Sequence, residues 1–200
     1  MPQFRNHSYA AFLFDMDGTL LDSSVVVERI WLSWARAHGV DPQALLSDLH
    51  GVRAEDTIRR FAGPTLDVAK ETESILQAEL GDIEGIVPIE GIGPFIARLD
   101  PGEWAVVTSA TLDLATVRLR AVNLPVPRVF ITAEDVRRGK PDPEGFLLAA
   151  QRLGVPIDQC LVFEDSPAGV AAAKAAGAHV AIVGGRVPDD EGNFALMHYV

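Results

Sequence analysis

A chain of 200 residues with a formal net charge of −11 can bury a sizeable core, and its acidity argues against a nucleic-acid or anionic-membrane partner, which needs a basic surface. With 48% hydrophobic and 22% charged residues it has the composition of a globular protein, and no apolar run approaches the length of a membrane span. Cys160 is the only cysteine and the first residues lack a signal-peptide pattern, so we expect a cytoplasmic protein without disulfides.

The first predicted element is a buried strand from Ala10 to Phe14, which is followed directly by Asp15 and Asp17. Gly18 then permits a backbone turn that few other residues allow. Two carboxylates crowded at a strand end are unfavourable unless a cation or a proton neutralises them. The stretch FLFDMDGTLLDS therefore predicts a charged functional site.

The next block, residues 23–87, has apolar residues at helical spacing and almost no strand signal. The predicted helices are Val25–His38, Asp41–Leu49, Ala54–Phe61 and Thr65–Leu80. A turn with the sequence HGVR, His50 to Arg53, joins the second and third of them. This pattern predicts a small helical bundle inserted as a unit.

Beyond Gly85 the pattern alternates between strands and helices, which predicts a parallel sheet covered on both faces. The predicted strands are Trp104–Thr108, Val129–Thr132, Cys160–Phe163 and His179–Val183. The predicted helices are Gly93–Leu99, Leu112–Val122, Pro143–Leu153 and Ala168–Ala176. In such sheets the ligand site lies beyond the carboxyl ends of the strands.

Charged and hydroxyl side chains follow the predicted strands at that edge. They are Asp15 and Asp17 after the first strand, Thr108, Ser109 and Ala110 after the second, Lys140 after the third, and Glu164 and Asp165 after the fourth. Carboxylate oxygens suit Mg²⁺, which favours substrate phosphate as a further ligand. A lysine and a hydroxyl can hold a phosphoryl group, and a carboxylate can attack phosphorus to form an aspartyl phosphate. Each residue alone has a plainer structural role, such as a helix cap, but their ordered occurrence favours a phosphoryl-transfer site.

These residues resemble the four ordered motifs of the haloacid dehalogenase superfamily of phosphatases, over nearly the whole chain. The motifs are DMDGT at 15–19, the strand-end Thr108, Lys140 in GKPDP, and the acidic pair Glu164-Asp165. The resemblance implies an α/β fold, a Rossmann-like three-layer core with a parallel sheet plus an inserted four-helix cap. The core would comprise residues 1–22 and 88–200, and the cap residues 23–87. The runs WAVVTSAT and FEDSPAGVAAAKAAG look closest to sugar-phosphate and glycerol-phosphate phosphatases.

The resemblance also implies roles for the motif residues. Asp15 would be the nucleophile and a Mg²⁺ ligand. Asp17 would protonate the leaving alkoxide and then activate water, while its carbonyl binds the metal. Thr108 and Lys140 would hold the phosphoryl oxygens. Asp165 would complete the metal site, with Glu164 binding the metal directly or acting through another ligand.

The expected activity is Mg²⁺-dependent hydrolysis of small sugar or polyol phosphates through an aspartyl-phosphate intermediate. The first alternative is a phosphosugar mutase. The second is a non-catalytic binding protein on the same fold. The mutases of this superfamily carry a histidine at the position of Val27 and a Lys-Asn pair where this chain has Thr111 and Leu112. Both departures favour hydrolysis, and the second aspartate, Asp17, favours phosphate esters over halogenated substrates.

Substrate contacts are expected from Ser109 and Ala110 in the core and from His50 and Arg53 in the cap, where an exposed and inert role fits the last two equally well. The substrate would be a small phosphate ester, and the sequence holds no signal for an oligomeric state. Members of the superfamily usually continue past the predicted strand at His179–Val183 with another strand and a helix. Here PDDEGNFALMHYV follows, which leaves the last sheet strand unassigned.

Overall fold

A computed structural model describes residues 1–187 and 194–199 of the chain. The strands are β1 (Gln3–Phe4), β2 (His7–Ser8), β3 (Ala11–Phe14), β4 (Leu21–Asp22), β5 (Val87–Pro88), β6 (Trp104–Val107), β7 (Val129–Ile131), β8 (Cys160–Glu164), β9 (His179–Val183) and β10 (Phe194–Leu196). The α-helices are α1 (Ser24–His38), α2 (Pro42–Asp48), α3 (Ala54–Phe61), α4 (Val68–Gly81), α5 (Ile92–Ile96), α6 (Leu112–Ala121), α7 (Glu144–Leu153) and α8 (Pro167–Ala176).

The main sheet has six strands in the order β10-β9-β8-β3-β6-β7, and every neighbouring pair is parallel. Strand β3 lies in the interior of the sheet between β8 and β6, and all four of its residues are buried. A strand that is covered on both faces needs apolar side chains in both directions, which explains the unbroken AFLF run. The predicted α/β fold with a parallel sheet is confirmed.

Helices cover both faces of this sheet. Phe12 and Phe14 belong to a core cluster that includes residues of α5 and α6. Ala11 and Leu13 belong to a second cluster, which includes residues of α7 and α8. Because alternate side chains of a strand point to opposite faces, the four residues of β3 divide evenly between the two clusters. The predicted three-layer architecture is therefore present.

Helices α1 to α4 surround a third apolar cluster of their own. Its buried members include Trp31, Leu45, Ile58 and Ile75, one from each of the four helices. The chain enters this bundle from β4 and leaves it into β5, and these two short strands pair antiparallel. The two connections therefore lie side by side. The division into a core and a cap at residues 23–87 stays a prediction with which this arrangement agrees.

The predicted helices and strands differ from the observed ones mainly at their ends. For example, α4 begins at Val68 and not at Thr65, because Asp67 caps it by accepting a hydrogen bond from Lys70 N at 3.2 Å. The hairpin of β1 and β2 was not predicted; its turn places Arg5 and Asn6 at positive φ.

In the unassigned tail, β10 extends the sheet beside β9, while residues 188–193 and 200 lie outside the described part. Within the described ranges, no helix combines the length and apolar character that crossing a membrane requires.

Candidate active site

The turn after β3 brings Asp15 and Asp17 to the carboxyl end of the sheet. Asp15 N still donates to Phe163 O of β8 at 3.0 Å, so the nucleophile candidate is fixed to the ladder. Gly18 follows at φ +90° and donates its N–H to Leu21 O at 2.7 Å. A Cβ at Gly18 would lie 2.0 Å from Asp165 Oδ2. Glycine is needed here both for the backbone conformation and for the close approach of Asp165.

Lys140 joins two buried carboxylates at this end of the sheet. Its Nζ lies 2.5 Å from Asp15 Oδ1 and 2.6 Å from Glu164 Oε1. Burial alone would lower the pKa of Lys140, but the charges of Asp15 and Glu164 outweigh it and raise that pKa above its ordinary value. For Asp15 burial dominates and raises the pKa, although Lys140 opposes the shift. Lys140 is therefore a cation at neutral pH and is aimed at the nucleophile candidate.

Glu164 holds the lysine in place and is itself held from the other side. Its Oε2 accepts hydrogen bonds from Ser166 N at 2.8 Å and from Ser166 Oγ at 2.9 Å. Gly169 leaves room for it, since a Cβ there would lie 1.6 Å from Glu164 Oε1. Both carboxylate oxygens thus have protein donors. This favours a role for Glu164 in orienting Lys140.

Three buried carboxylates at the strand ends form a group that could hold a metal ion. One oxygen each from Asp15, Glu164 and Asp165 lies within 4.8 Å of the others. Burial, followed by the charge of Glu164, raises the pKa of Asp165 to about 7, against the opposing effect of Arg186. Arg186 NH1 lies 2.6 Å from Asp165 Oδ2. Buried carboxylates that lie close together are unfavourable in their ionised form unless a cation is present. Such a group of oxygen ligands therefore fits a hard divalent ion.

Asp17 lies beside this group and has partners of its own. Its Oδ1 accepts hydrogen bonds from Ser23 Oγ at 2.6 Å and from Arg118 NH1 at 2.9 Å. Ser23 directly precedes α1, so the residue at the start of the helical bundle touches the second aspartate of the DMDGT motif. The structure therefore gives Asp15 and Asp17 different surroundings. Asp15 contacts a buried lysine, whereas Asp17 contacts Ser23 and Arg118.

A cavity of about 310 Å³ lies between the strand ends and the helical bundle. Asp15 and Asp17 line it, as do Thr108, Ser109 and Ala110, so these predicted residues are brought together. Thr108 Oγ1 accepts from Ala110 N at 3.1 Å, and Ser109 Oγ donates to Gly51 O at 2.8 Å. Since Gly51 belongs to the HGVR turn, the bundle and the sheet meet directly over the strand ends.

The two bundle residues proposed from the sequence, His50 and Arg53, also line the cavity. Burial and the charge of Arg186 lower the pKa of His50, so His50 is neutral at pH 7. Arg53 already has protein partners, donating to Asp56 Oδ2 at 2.8 Å and to Arg137 O at 3.3 Å. Contact of either residue with substrate stays a prediction.

Glu79, Arg118 and Arg186 are among the charged residues lining the same cavity that sequence reasoning missed. Arg118 lies on α6 one turn after the buried Leu114, and Glu79 lies on α4 one turn after the buried Ile75. A charged residue on the buried face of an amphipathic helix is a signal that could have identified both. Arg186 lies in a loop after β9, where no comparable pattern exists.

Comparisons with known proteins agree with this geometry. The chain is 44% identical over 176 residues to hexitol phosphatase A of Escherichia coli K12, covering 86% of this chain and 82% of that protein. It is 34% identical over 200 residues to 2-deoxyglucose-6-phosphate phosphatase 2 of Saccharomyces cerevisiae, with coverages of 89% and 80%. The crystal structure of CbbY from Rhodobacter sphaeroides in complex with phosphate superimposes with a TM-score of 0.80 at 25% identity, over 95% of this chain and 94% of that one. Residues 9–177 match the haloacid dehalogenase-like hydrolase family, and the chain belongs to this family.

Proposed function

We propose that this protein is a phosphatase that hydrolyses small phosphomonoesters of sugars or polyols through an aspartyl phosphate on Asp15. The observation that carries the proposal is the contact of the buried Lys140 with Asp15 at the floor of a cavity that Asp17 also lines. The substrate class follows from relatives named for hexitol and 2-deoxyglucose-6-phosphate hydrolysis. Domain boundaries at residues 23–87 are part of the same proposal.

The first step uses Asp15 as the nucleophile. Lys140 contacts Oδ1 and favours the ionised form of the carboxylate, and the other oxygen attacks phosphorus. As the new O–P bond forms, the bond from phosphorus to the leaving oxygen breaks. Asp17 donates its proton to that oxygen, which departs as an alcohol. Lys140 and the Thr108 hydroxyl stabilise the charge on the phosphoryl oxygens.

The second step releases the enzyme. Asp17 removes a proton from a water molecule, which attacks phosphorus, and the bond between phosphorus and Asp15 breaks. Inorganic phosphate leaves and Asp17 is again protonated. Asp17 lies in the cavity with its Oδ1 held by Ser23 and Arg118, which fixes its position for both proton transfers.

The residues present fit a Mg²⁺ ion, because Asp15 and Asp165 offer buried carboxylate oxygens that lie close together. The backbone carbonyl of Asp17 is the further protein ligand that we propose from the family resemblance. When bound, the ion would neutralise these carboxylates and polarise the phosphoryl group. Glu164 belongs to the same acidic group, but Lys140 and Ser166 occupy its two oxygens, and we propose that it acts through Lys140.

The mutase alternative is disfavoured by the residues that a mutase would need. Val27 lines the cavity and has no proton to transfer. The Thr111 side chain accepts from Leu114 N as the cap of α6, so it is occupied by a structural role. A purely binding role is disfavoured by the Asp15–Lys140–Glu164 group, since burying such charges without using them carries a desolvation cost. The single cysteine favours a cytoplasmic location, and the net charge of −11 disfavours nucleic-acid and membrane partners.

The test is a panel of phosphate esters incubated with Mg²⁺, with release of inorganic phosphate as the readout. Hexitol and hexose phosphates are expected to be hydrolysed by the wild type and not by Asp15→Asn. Conversion of a hexose 1-phosphate to its 6-phosphate without phosphate release would establish the mutase instead. No turnover of any ester would contradict both.

A further inference from the structure

One pair of charged residues in the cavity has no contact with the substrate assigned to it in the proposed chemistry. Arg118 on α6 and Glu79 on α4 are 4% and 7% exposed, and both line the cavity that holds Asp15 and Asp17. Arg118 NH2 lies 3.3 Å from Glu79 Oε2, while Arg118 NH1 is bonded to Asp17. Glu79 Oε1 accepts from Trp31 Nε1 at 3.2 Å. The pair therefore forms where the helical bundle meets the helix that follows β6.

The hydrogen-bonding capacity of this pair is only partly used. Within the described chain, Arg118 Nε and NH2 have no hydrogen-bond partner although they are buried, and the approach of NH2 to Glu79 is an ion pair without hydrogen-bond alignment. A buried donor left without an acceptor is costly. In the wall of the cavity, buried N–H groups of Arg118 without an acceptor therefore lie beside Glu79 Oε2, a carboxylate oxygen that can accept a hydrogen bond.

We propose that Glu79 and Arg118 form the subsite that recognises hydroxyl groups of the leaving alcohol. A hydroxyl accepts a hydrogen bond from Arg118 and donates one to Glu79, and vicinal hydroxyls can divide these roles. This inference rests on the proposed phosphatase function and extends it to the chemistry of the leaving group.

The same charges exclude other leaving groups. Glu79 and Asp17 are acidic and Arg118 is the cation between them, so this end of the cavity disfavours a second carboxylate or phosphate on the substrate. An apolar alcohol would leave the Arg118 donors without acceptors. The subsite therefore selects a neutral polyhydroxy leaving group over an acidic or an apolar one.

The experiment compares kcat/KM for three esters in wild type and in Glu79→Gln: glucitol 6-phosphate, phenyl phosphate and a sugar-acid phosphate. Glu73→Gln is the matched control, since Glu73 is an exposed residue of the same helix. Glu79→Gln is expected to lower the ratio of glucitol 6-phosphate to phenyl phosphate by about 10- to 100-fold and to raise the relative rate on the acidic substrate. Glu73→Gln is expected to leave both ratios unchanged.

Analogues of glucitol 6-phosphate that each lack one hydroxyl locate the contact. For at least one analogue, Glu79→Gln should lower kcat/KM by little more than it does for phenyl phosphate. That analogue lacks the hydroxyl that contacts Glu79, so the substitution has no contact left to remove. An equal effect of Glu79→Gln on all esters would overturn the proposal. If thermal unfolding shows that the variant does not fold, the test uses the wild type alone. Its kcat/KM must then be lower for the sugar-acid phosphate and for at least one deoxy analogue than for glucitol 6-phosphate. A wild type inactive on every ester would instead contradict the phosphatase function itself.

Discussion

Replacing Lys140 by methionine tests whether the buried lysine maintains both the fold and the nucleophile. The substitution keeps most of the side-chain volume and removes an ammonium that lies 2.5 Å from Asp15 and 2.6 Å from Glu164. Because Lys140, Asp15 and Glu164 are at most 7% exposed, solvent cannot replace the lost cation. Breaking a buried ion pair of this kind costs about 3–5 kcal/mol. The expected loss in the free energy of unfolding at pH 7 lies in that range.

The pH dependence of this loss follows from the sign of the pKa shift. Burial opposes the charged form of Lys140, yet the two carboxylates raise its pKa above the ordinary value. The stabilisation is therefore fully present at neutral pH and is lost only as the pH rises above the ordinary lysine range. Lys140→Met should also lower kcat/KM by at least about 100-fold, since a charged donor to the phosphoryl oxygens is gone.

The assays are urea unfolding and steady-state phosphate release, with the exposed Lys70→Met on α4 as the control. Lys70→Met should change stability by less than about 0.5 kcal/mol and leave kcat/KM unaltered. The reasoning is refuted if Lys140→Met is as stable as the wild type and retains more than a tenth of its activity.

Three further predictions follow from the site. Asp17→Asn should lower kcat on alkyl phosphates by about 10²- to 10⁴-fold while Mg²⁺ still raises the thermal unfolding midpoint; full activity would remove Asp17 from its role. Gly169→Ala should displace Glu164 and thereby lose about 1–3 kcal/mol of unfolding free energy and much of the activity. The control Gly81→Ala, where nothing lies near the added Cβ, should be nearly neutral. Equal stabilities of the two variants in urea unfolding would contradict this. Because burial raises the pKa of Asp165 to about 7, ionising this carboxyl in the metal-free folded protein is unfavourable. As the pH rises from about 4 to 7, the free energy of unfolding should therefore fall by up to about 1.4 kcal/mol per pH unit relative to Asp165→Asn. Parallel profiles of unfolding free energy against pH would contradict this.

Much of the catalytic end of the site could be predicted from the sequence because its signals are local. A buried strand that stops at Asp15 places this carboxylate at the sheet edge, whatever the rest of the chain does. Asp165 follows β8 in the same way, and Lys140 lies in the loop that connects β7 to α7. Parallel strands end at one edge, so local patterns are enough to bring these residues together.

The substrate end of the cavity could not be predicted in this way because it depends on tertiary contacts. Glu79 belongs to α4 and Arg118 to α6, and β5, α5 and β6 lie between these helices in the chain. No local sequence pattern specifies that the two side chains meet. Their signal was a charge on a buried helix face, which shows that a partner exists without naming it. The edge strand β10 was missed for a similar reason, since its three residues gain strand character from pairing with β9.

The central claim is that phosphate passes through a covalent bond to Asp15. The most direct test is acid quenching of the enzyme during turnover of a hexitol phosphate labelled in its phosphate group, followed by mapping of the labelled peptide. An alkali-labile label is expected on the peptide 12–23 at Asp15, and it should be absent from Asp15→Asn, which should release no phosphate. Rapid phosphate release by Asp15→Asn, or a label on another residue, would contradict it.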